Sequence, residues 1–232
     1  PGGGAAGGGA AGGGGGPAHA GCKPSTQQFV GFEEGPDSPS IWGPLGAATP
    51  ARGAAPAFMI AMAVNHSVLL EEVNGQLQLS ASSPDEQAFV AASEHFGYDF
   101  VARDHERGLV VLLDKASGER HSVEILDVVP YESSRKRMSI IVRLPPALVD
   151  ACGGGCAERL YCKGADSVLL DLTAASRAAE AKAGGGGGIT GAKFEAPLNE
   201  WADIALRTLG SAQRELPEYA AWRTRARAAT NH

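Results

Sequence analysis

The sequence is short of most features that would let a chain of this size act alone. It has no uninterrupted apolar stretch of the roughly 20 residues that a helix needs to cross a bilayer. The longest apolar run, Ala54–Val64, is interrupted by Pro56. The N-terminus lacks the charged start and apolar core of a signal peptide. The chain as given therefore reads as soluble, with any membrane part lying elsewhere. Basic charge is also scarce: 20 Lys and Arg against 26 Asp and Glu leave a net charge of −6. That excludes the broad positive field of a general nucleic-acid binder. The four cysteines are Cys22, Cys152, Cys156 and Cys162. Cys152 and Cys156 flank a glycine-rich stretch, as half of a zinc site would. No second Cys/His pair follows at ligand spacing, so reduced cytosolic thiols are the preferred reading. His66, His95, His105 and His121 show no ligand spacing and read as ordinary core or surface residues. No Ser/His/Asp set is apparent, and the Gly184–Gly188 run lacks the Lys-Ser/Thr that a phosphate loop needs.

Glycine, in contrast, is abundant, with 32 residues, and it is clustered. Positions 1–16 are almost wholly Gly and Ala, and a second pure run lies at Gly184–Gly188. Such tracts bury no side chains and cannot offset the entropy of ordering their backbone. Residues 1–56 are accordingly expected to be low-complexity and mostly disordered. One folded domain is expected over 57–229, with a disordered Gly-rich insertion around 174–192.

Within that domain, Ala57–Val68 reads as a buried helix and Gln76–Leu79 as a short strand. Ser83-Pro84-Asp85-Glu86 has the look of a helix start, with Ser83 as N-cap, Pro84 in the first helical position and Glu86 three residues after the cap. Gly97 closes that helix. Strand signals follow at Tyr98–Val101, Leu109–Leu113, His121–Val129, Met138–Leu144 and Arg159–Cys162, with a loop over Pro145–Gly155. Their connections are too short for parallel crossovers, so an antiparallel meander of five or six strands is expected. Ala165–Leu172, Pro197–Leu206 and Pro217–Ala229 read as helices, and Thr208–Glu215 as a further strand. The fold class is α+β: a twisted antiparallel sheet flanked by helices.

Four segments occur in order: Ala81-Ser82-Ser83-Pro84-Asp85-Glu86, Tyr131-Glu132-Ser133-Ser134-Arg135-Lys136-Arg137-Met138-Ser139, Leu160-Tyr161-Cys162-Lys163-Gly164-Ala165-Asp166 and Leu206-Arg207-Thr208-Leu209. Together they resemble the nucleotide-binding (N) domain of P-type ATPases. The Ser-Ser-Pro-Asp-Glu and Arg-Lys-Arg-Met-Ser blocks are similar to those of the phospholipid-translocating (flippase, type IV) subfamily, as are Asn199–Ala202 and Glu218–Trp222. The resemblance covers about Phe58 to Arg227 and implies an ATP site built from Glu86, Tyr131, Ser133, Lys163 and Arg207.

Each residue has a physical reading beside a plainer one. Tyr131 stands where the family places a Phe that stacks on adenine, and its ring can stack equally well; alternatively it closes a strand end against the core. Glu86 can accept a hydrogen bond from adenine's exocyclic amine, or complete a capping box. Lys163 beside Gly164 can meet adenine or phosphate charge where a ligand approaches the backbone, or sit solvated in a turn. Arg207 suits ribose and phosphates, or a helix end. Ser133 adds a polar contact. Arg135-Lys136-Arg137 is either a solvated, salt-bridged turn or, through Arg135, a phosphate neutraliser.

The resemblance further implies ATP, with Mg2+ used in the parent pump, and as partners the phosphorylation, actuator and membrane domains and a possible accessory subunit. It implies no nucleic acid. The parent would sit in a membrane with this domain on its cytoplasmic side. The family's phosphorylated Asp-Lys-Thr-Gly-Thr run is absent from the chain, so the chain is expected to bind nucleotide without turning it over. Two further departures stand out. Asn65-His66-Ser67-Val68 replaces the usual Cys-His-Thr-Val, and Ala205 replaces a common Gly. The Tyr131 and Ala205 changes, the long glycine tracts and the absent catalytic parts favour an alternative, a truncated or degenerate interaction module without catalysis.

Overall fold

The computed structural model describes residues 53–173 and 192–230. Most of the expected low-complexity segment and most of the glycine-rich insertion lie outside the described residues. The first helix, α1 (Ala54–Val64), is apolar on almost every side and buries Met59, Ile60, Ala63 and Val64. It begins before Pro56 because a proline in the first turn removes only an N–H that has no helical partner. Gly53 precedes it at φ +95, and a Cβ there would lie 2.3 Å from the Cys152 carbonyl, so only glycine lets the helix start pack this closely.

A two-stranded hairpin follows, β1 (Leu69–Val73) against β2 (Gln76–Ser80). Sequence patterning finds β2 and misses β1, whose Leu-Leu-Glu-Glu-Val does not alternate. The local signal is Asn74-Gly75, both at positive φ (54° and 74°), as a tight hairpin turn demands. Helix α2 (Pro84–His95) has Pro84 in its first turn and ends before Gly97.

The main sheet is a six-stranded antiparallel meander in chain order. Its strands are β3 (Tyr98–Asp104), β4 (Leu109–Asp114), β5 (Arg120–Glu132), β6 (Arg137–Arg143), β7 (Glu158–Gly164) and β8 (Gly210–Glu215). The expected loop before β7 contains a short helix, α3 (Pro146–Ala151), whose Leu148 is buried. Residues 166–173 are helical (α4). Helix α5 (Ala192–Asp203) starts and ends earlier than its sequence pattern suggests, leaving Leu206 and Arg207 beyond it. Helix α6 (Tyr219–Thr230) begins two residues after Pro217.

One sheet face carries Phe100, Val110, Leu112, Val123, Ile140, Val142 and Tyr161, packed with α1 and α2 in the main core. The other carries Ile141, Ser139 and Cys162. There α6 is tied down by Tyr219, whose hydroxyl donates to Asp127. Strand β6 is buried along nearly its whole length, which is why its run of apolar residues does not alternate.

Candidate functional site

The core face of the sheet opens at the end where β5, β6 and β7 begin or finish. Lys163 lies on this face because it follows Tyr161 by two residues, and side chains two apart on a strand share a face. Its partner across β6 is Met138. Lys163 is therefore a strand residue and not part of a turn. Its Nζ donates to Glu86 Oε1 at 2.7 Å and stands 5.7 Å from the centre of the Phe89 ring. The Lys163 and Glu86 side chains are only 14% and 11% exposed.

Glu86 does not complete a capping box. Ser83 makes no side-chain cap bond, and the Glu86 carboxylate reaches across to another part of the fold. Its second oxygen accepts from the Ser67 backbone N–H at 2.9 Å and from the Ser67 hydroxyl at 2.6 Å. Burial alone would raise the Glu86 pKa, but the bonds from Lys163 and Ser67 outweigh it and hold the carboxyl below its ordinary value. Burial works the other way on Lys163 and lowers its pKa, against the pull of Glu86.

Gly164 has a different task from the one expected of it. A Cβ there would lie 2.3 Å from the Lys136 carbonyl oxygen. The residue thus lets β7 close onto the turn before β6 and leaves no extra room for a ligand. That turn holds Arg135 and Lys136, the latter at φ +51, and Arg137 opens β6 directly after it. Arg135 donates to the Pro130 carbonyl and Arg137 to the Arg135 carbonyl, so the two guanidiniums brace the turn through backbone oxygens.

Tyr131 sits at the end of β5, within a register shift between Val129 and Glu132. Such a bulge re-aims the side chain, and Tyr131 is 60% exposed, so it does not close the strand against the core. Val128 shares the core face with its partner Ile140 and is also exposed. Strand β5 lies two strand spacings, about 10 Å, from β7. Ser133 is exposed in the following turn. Arg207, beyond α5, donates to both oxygens of Asp85 at 3.1 and 2.9 Å. The structure thus joins Glu86 to Lys163 and Arg207 to the neighbouring Asp85, with Tyr131 and Ser133 at the same end of the sheet.

Sequence reasoning missed the support under Glu86. His66 is wholly buried. One ring nitrogen, Nε2, lies 2.8 Å from the Ala63 carbonyl, and the other, Nδ1, accepts from the Val68 N–H at 3.1 Å. This pattern requires the neutral ring with its proton on Nε2, and burial pushes the His66 pKa down to about 3. Arg103 on β3 donates to the His66 carbonyl at 2.9 Å.

A six-stranded meander with helices at its margins, carrying the four motifs at one end, agrees with the family model for the P-type ATPase cytoplasmic domain N, which matches residues 56–231. The chain belongs to that family. Relatives of this N domain include the phospholipid-transporting ATPase DNF1 of Saccharomyces cerevisiae, 37% identical over 172 residues, covering 71% of this chain and 10% of that protein. The probable phospholipid-transporting ATPase 12 of Arabidopsis thaliana is 37% identical over 169 residues, 69% of this chain and 12% of its own length. The human phospholipid-transporting ATPase IC is 38% identical over 114 residues, 49% of this chain and 8% of its own. The N domain thus spans about a tenth of the curated relatives it matches. The expected α+β class and the resemblance to a P-type N domain both hold. No helix among the described residues is long and apolar enough to cross a membrane.

Proposed function

We propose that this N domain binds ATP for a phospholipid-translocating P-type pump and presents the γ-phosphate to an aspartate on another domain. The observation that carries this reading is the buried Glu86–Lys163 pair at the open end of the core face. Three acceptor positions of the Glu86 carboxylate are taken, by Lys163 and twice by Ser67. A carboxylate has about four lone-pair sites, so one remains for an exocyclic amine. Exposed Tyr131 would offer its ring to the base, Ser133 a polar contact, and Arg207 a charge for ribose or phosphate.

Among the described residues no group of three or more His, Cys, Asp or Glu side chains is placed to hold a metal. Magnesium would be held by the nucleotide and by other parts of the parent pump. The phosphorylation, actuator and membrane domains of that pump are the partners we propose, with the N domain on the cytoplasmic side. Exposed Trp201, Ile204 and Leu206 favour an interaction role as well, as surfaces for neighbouring domains.

The test is a titration of the full chain with ATP followed by NMR. Saturable shifts at Tyr131, Lys163 and Arg207 are expected. No shift at any of the three at millimolar ATP would end the binding proposal and leave the interaction reading.

A further inference from the structure

We propose that Ser67, held in place by His66 and Arg103, is the positioning residue that aims the Glu86 carboxylate, and so sets the preference for a 6-amino over a 6-oxo purine. The inference rests on the ATP-binding reading above but is carried by different residues. The segment between α1 and β1 is short and pinned twice. From the segment itself, the His66 ring bridges the Ala63 carbonyl in the last turn of α1 and the Val68 N–H. Across the fold, Arg103 grips the His66 carbonyl at 2.9 Å and lies 3.4 Å from the Val64 carbonyl. The Phe100 ring stands under both, 4.6 Å edge-on from His66 and 5.8 Å from the guanidinium.

Between those two pins, Ser67 is the one exposed residue, flanked by buried His66 and Val68. Its N–H and hydroxyl both point at Glu86 Oε2. Two donors on one oxygen fix the plane of the carboxylate. The other oxygen, which Lys163 also holds, keeps its spare lone pair in a defined direction. A 6-amino group can donate to that lone pair. A 6-oxo group would set oxygen against oxygen, with a charged acceptor and no proton between them. A serine serves here as a threonine would, since both bring the same hydroxyl and N–H.

The charged and titratable groups around Glu86 are Lys163 on β7, Arg103 on β3, Asp85 on its own helix and neutral His66 beneath. Without the Ser67 hydroxyl, the carboxylate keeps Lys163 and the Ser67 backbone N–H but loses one of the two donors that fix its plane.

The experiment compares the full chain with Ser67→Ala, Ser67→Thr and Arg103→Met. One measurement is the Glu86 carboxyl titration by carbon-13 NMR, assigned by its disappearance in Glu86→Gln. The other is the ATP-to-GTP affinity ratio by calorimetry. Ser67→Ala is expected to raise the proton affinity of Glu86 about tenfold and weaken ATP binding about tenfold (~1.4 kcal/mol), leaving GTP unchanged. Ser67→Thr should restore both, and Arg103→Met should move the titration in the same direction as Ser67→Ala. General destabilisation would shift melting but neither of these measurements. An unchanged Glu86 titration in Ser67→Ala overturns the brace. A moved titration with an unchanged affinity ratio overturns the role in purine choice. If the wild type binds no ATP, the proposed function falls, and the carboxyl titration still decides whether Ser67 positions Glu86.

Discussion

Asp85 and Glu86 are consecutive residues in the first turn of α2, yet they make ion pairs of two kinds. A helix turns about 100° per residue, so the two side chains diverge. Glu86 turns into the fold and meets Lys163 near the end of β7, the strand beside the sheet's edge strand β8. Asp85 turns outward and meets Arg207, whose side chain is 74% exposed. The buried pair is fixed from both sides, by Ser67 on Glu86 and by β7 on Lys163. The exposed pair is fixed from one side only, because Arg207 lies in the segment between α5 and β8. The difference separates two tasks. A rigid, desolvated pair can define a geometry for a base, whereas a solvated arginine can leave Asp85 for an arriving phosphate at little cost.

The strongest way to break this comparison is to remove Lys163. A buried carboxylate that loses its cation keeps the full desolvation cost, and such losses run to about 3 kcal/mol. Lys163→Ala should therefore lower the unfolding free energy in urea by about 3 kcal/mol at pH 7. Lys163→Met combined with Glu86→Gln should recover most of that loss, because neither group is then an orphan. A loss under about 1 kcal/mol for Lys163→Ala would mean that the two pairs are energetically alike.

Acid tests the same site through its support. The folded His66 has its pKa lowered from 6.5 to about 3, so the unfolded chain takes up a proton first. Stability present above pH 6.5 is then lost towards pH 3, at about 1.4 kcal/mol per pH unit. Asp99 opposes it. Burial, helped by Glu94, raises its carboxyl from 3.8 to about 6, so its penalty grows as pH rises from 3.8 to 6. Between pH 4 and 6 the two slopes nearly cancel. In Asp99→Asn the His66 slope should stand alone, with about 3 kcal/mol lost between pH 6.5 and pH 4 in denaturant titrations. Glu86, whose folded pKa is depressed, contributes stability above its ordinary value of 4.5 and loses it as pH falls through the folded one. Its loss extends the slope at the acid end, and Glu86→Gln should remove that last portion only. A flat profile in Asp99→Asn would show that His66 takes up its proton without unfolding the chain.

How far all this could be read from the sequence depended on how local the cause was. Most strands of the main sheet announce themselves by apolar runs, and Lys163 and Glu86 by motifs that resemble a family. The support under Glu86 does not, because Arg103 lies 37 residues from His66 and nothing in either neighbourhood marks the contact. The Ser83–Glu86 spacing pointed to a capping box for a local reason. It was overruled by Ser67, 19 residues away, and by Lys163, 77 away. The expected helix Pro197–Leu206 misleads in another way: Trp201 and Ile204 have helical spacing, but both are exposed and Ile204 lies beyond the end of α5. Periodicity shows that a face exists and says nothing about whether this chain covers it.

The Arg207 side of the comparison can be sharpened by stiffening its anchor. Helix α5 ends in a Schellman arrangement: the Leu206 N–H donates to the Trp201 carbonyl and the Ala205 N–H to the Ala202 carbonyl, both at 2.9 Å. The residue this motif places in the left-handed region is Ala205, at φ +59, where glycine carries no Cβ penalty. Ala205→Gly should therefore stabilise the chain by about 1 kcal/mol, read as a rise in the urea midpoint without a change in slope. An unchanged or lower midpoint would mean that Ala205 is not strained.

The smallest stability effect belongs to Arg207 itself. Arg207→Ala removes an exposed pair and should change unfolding free energy by no more than about 0.5 kcal/mol. Its effect on ATP should be larger than its effect on folding, and salt should expose the difference. An exposed guanidinium acts on phosphates across water, where raising ionic strength shortens the reach of charge. The wild type should therefore lose ATP affinity between 50 and 500 mM salt, as should Lys163→Ala to the extent that Arg207 still contributes. Arg207→Ala should lose much less over the same range. If Arg207→Ala instead keeps wild-type affinity and wild-type salt dependence, the outward pair is only a surface contact, and nucleotide recognition falls to the buried pair and Tyr131.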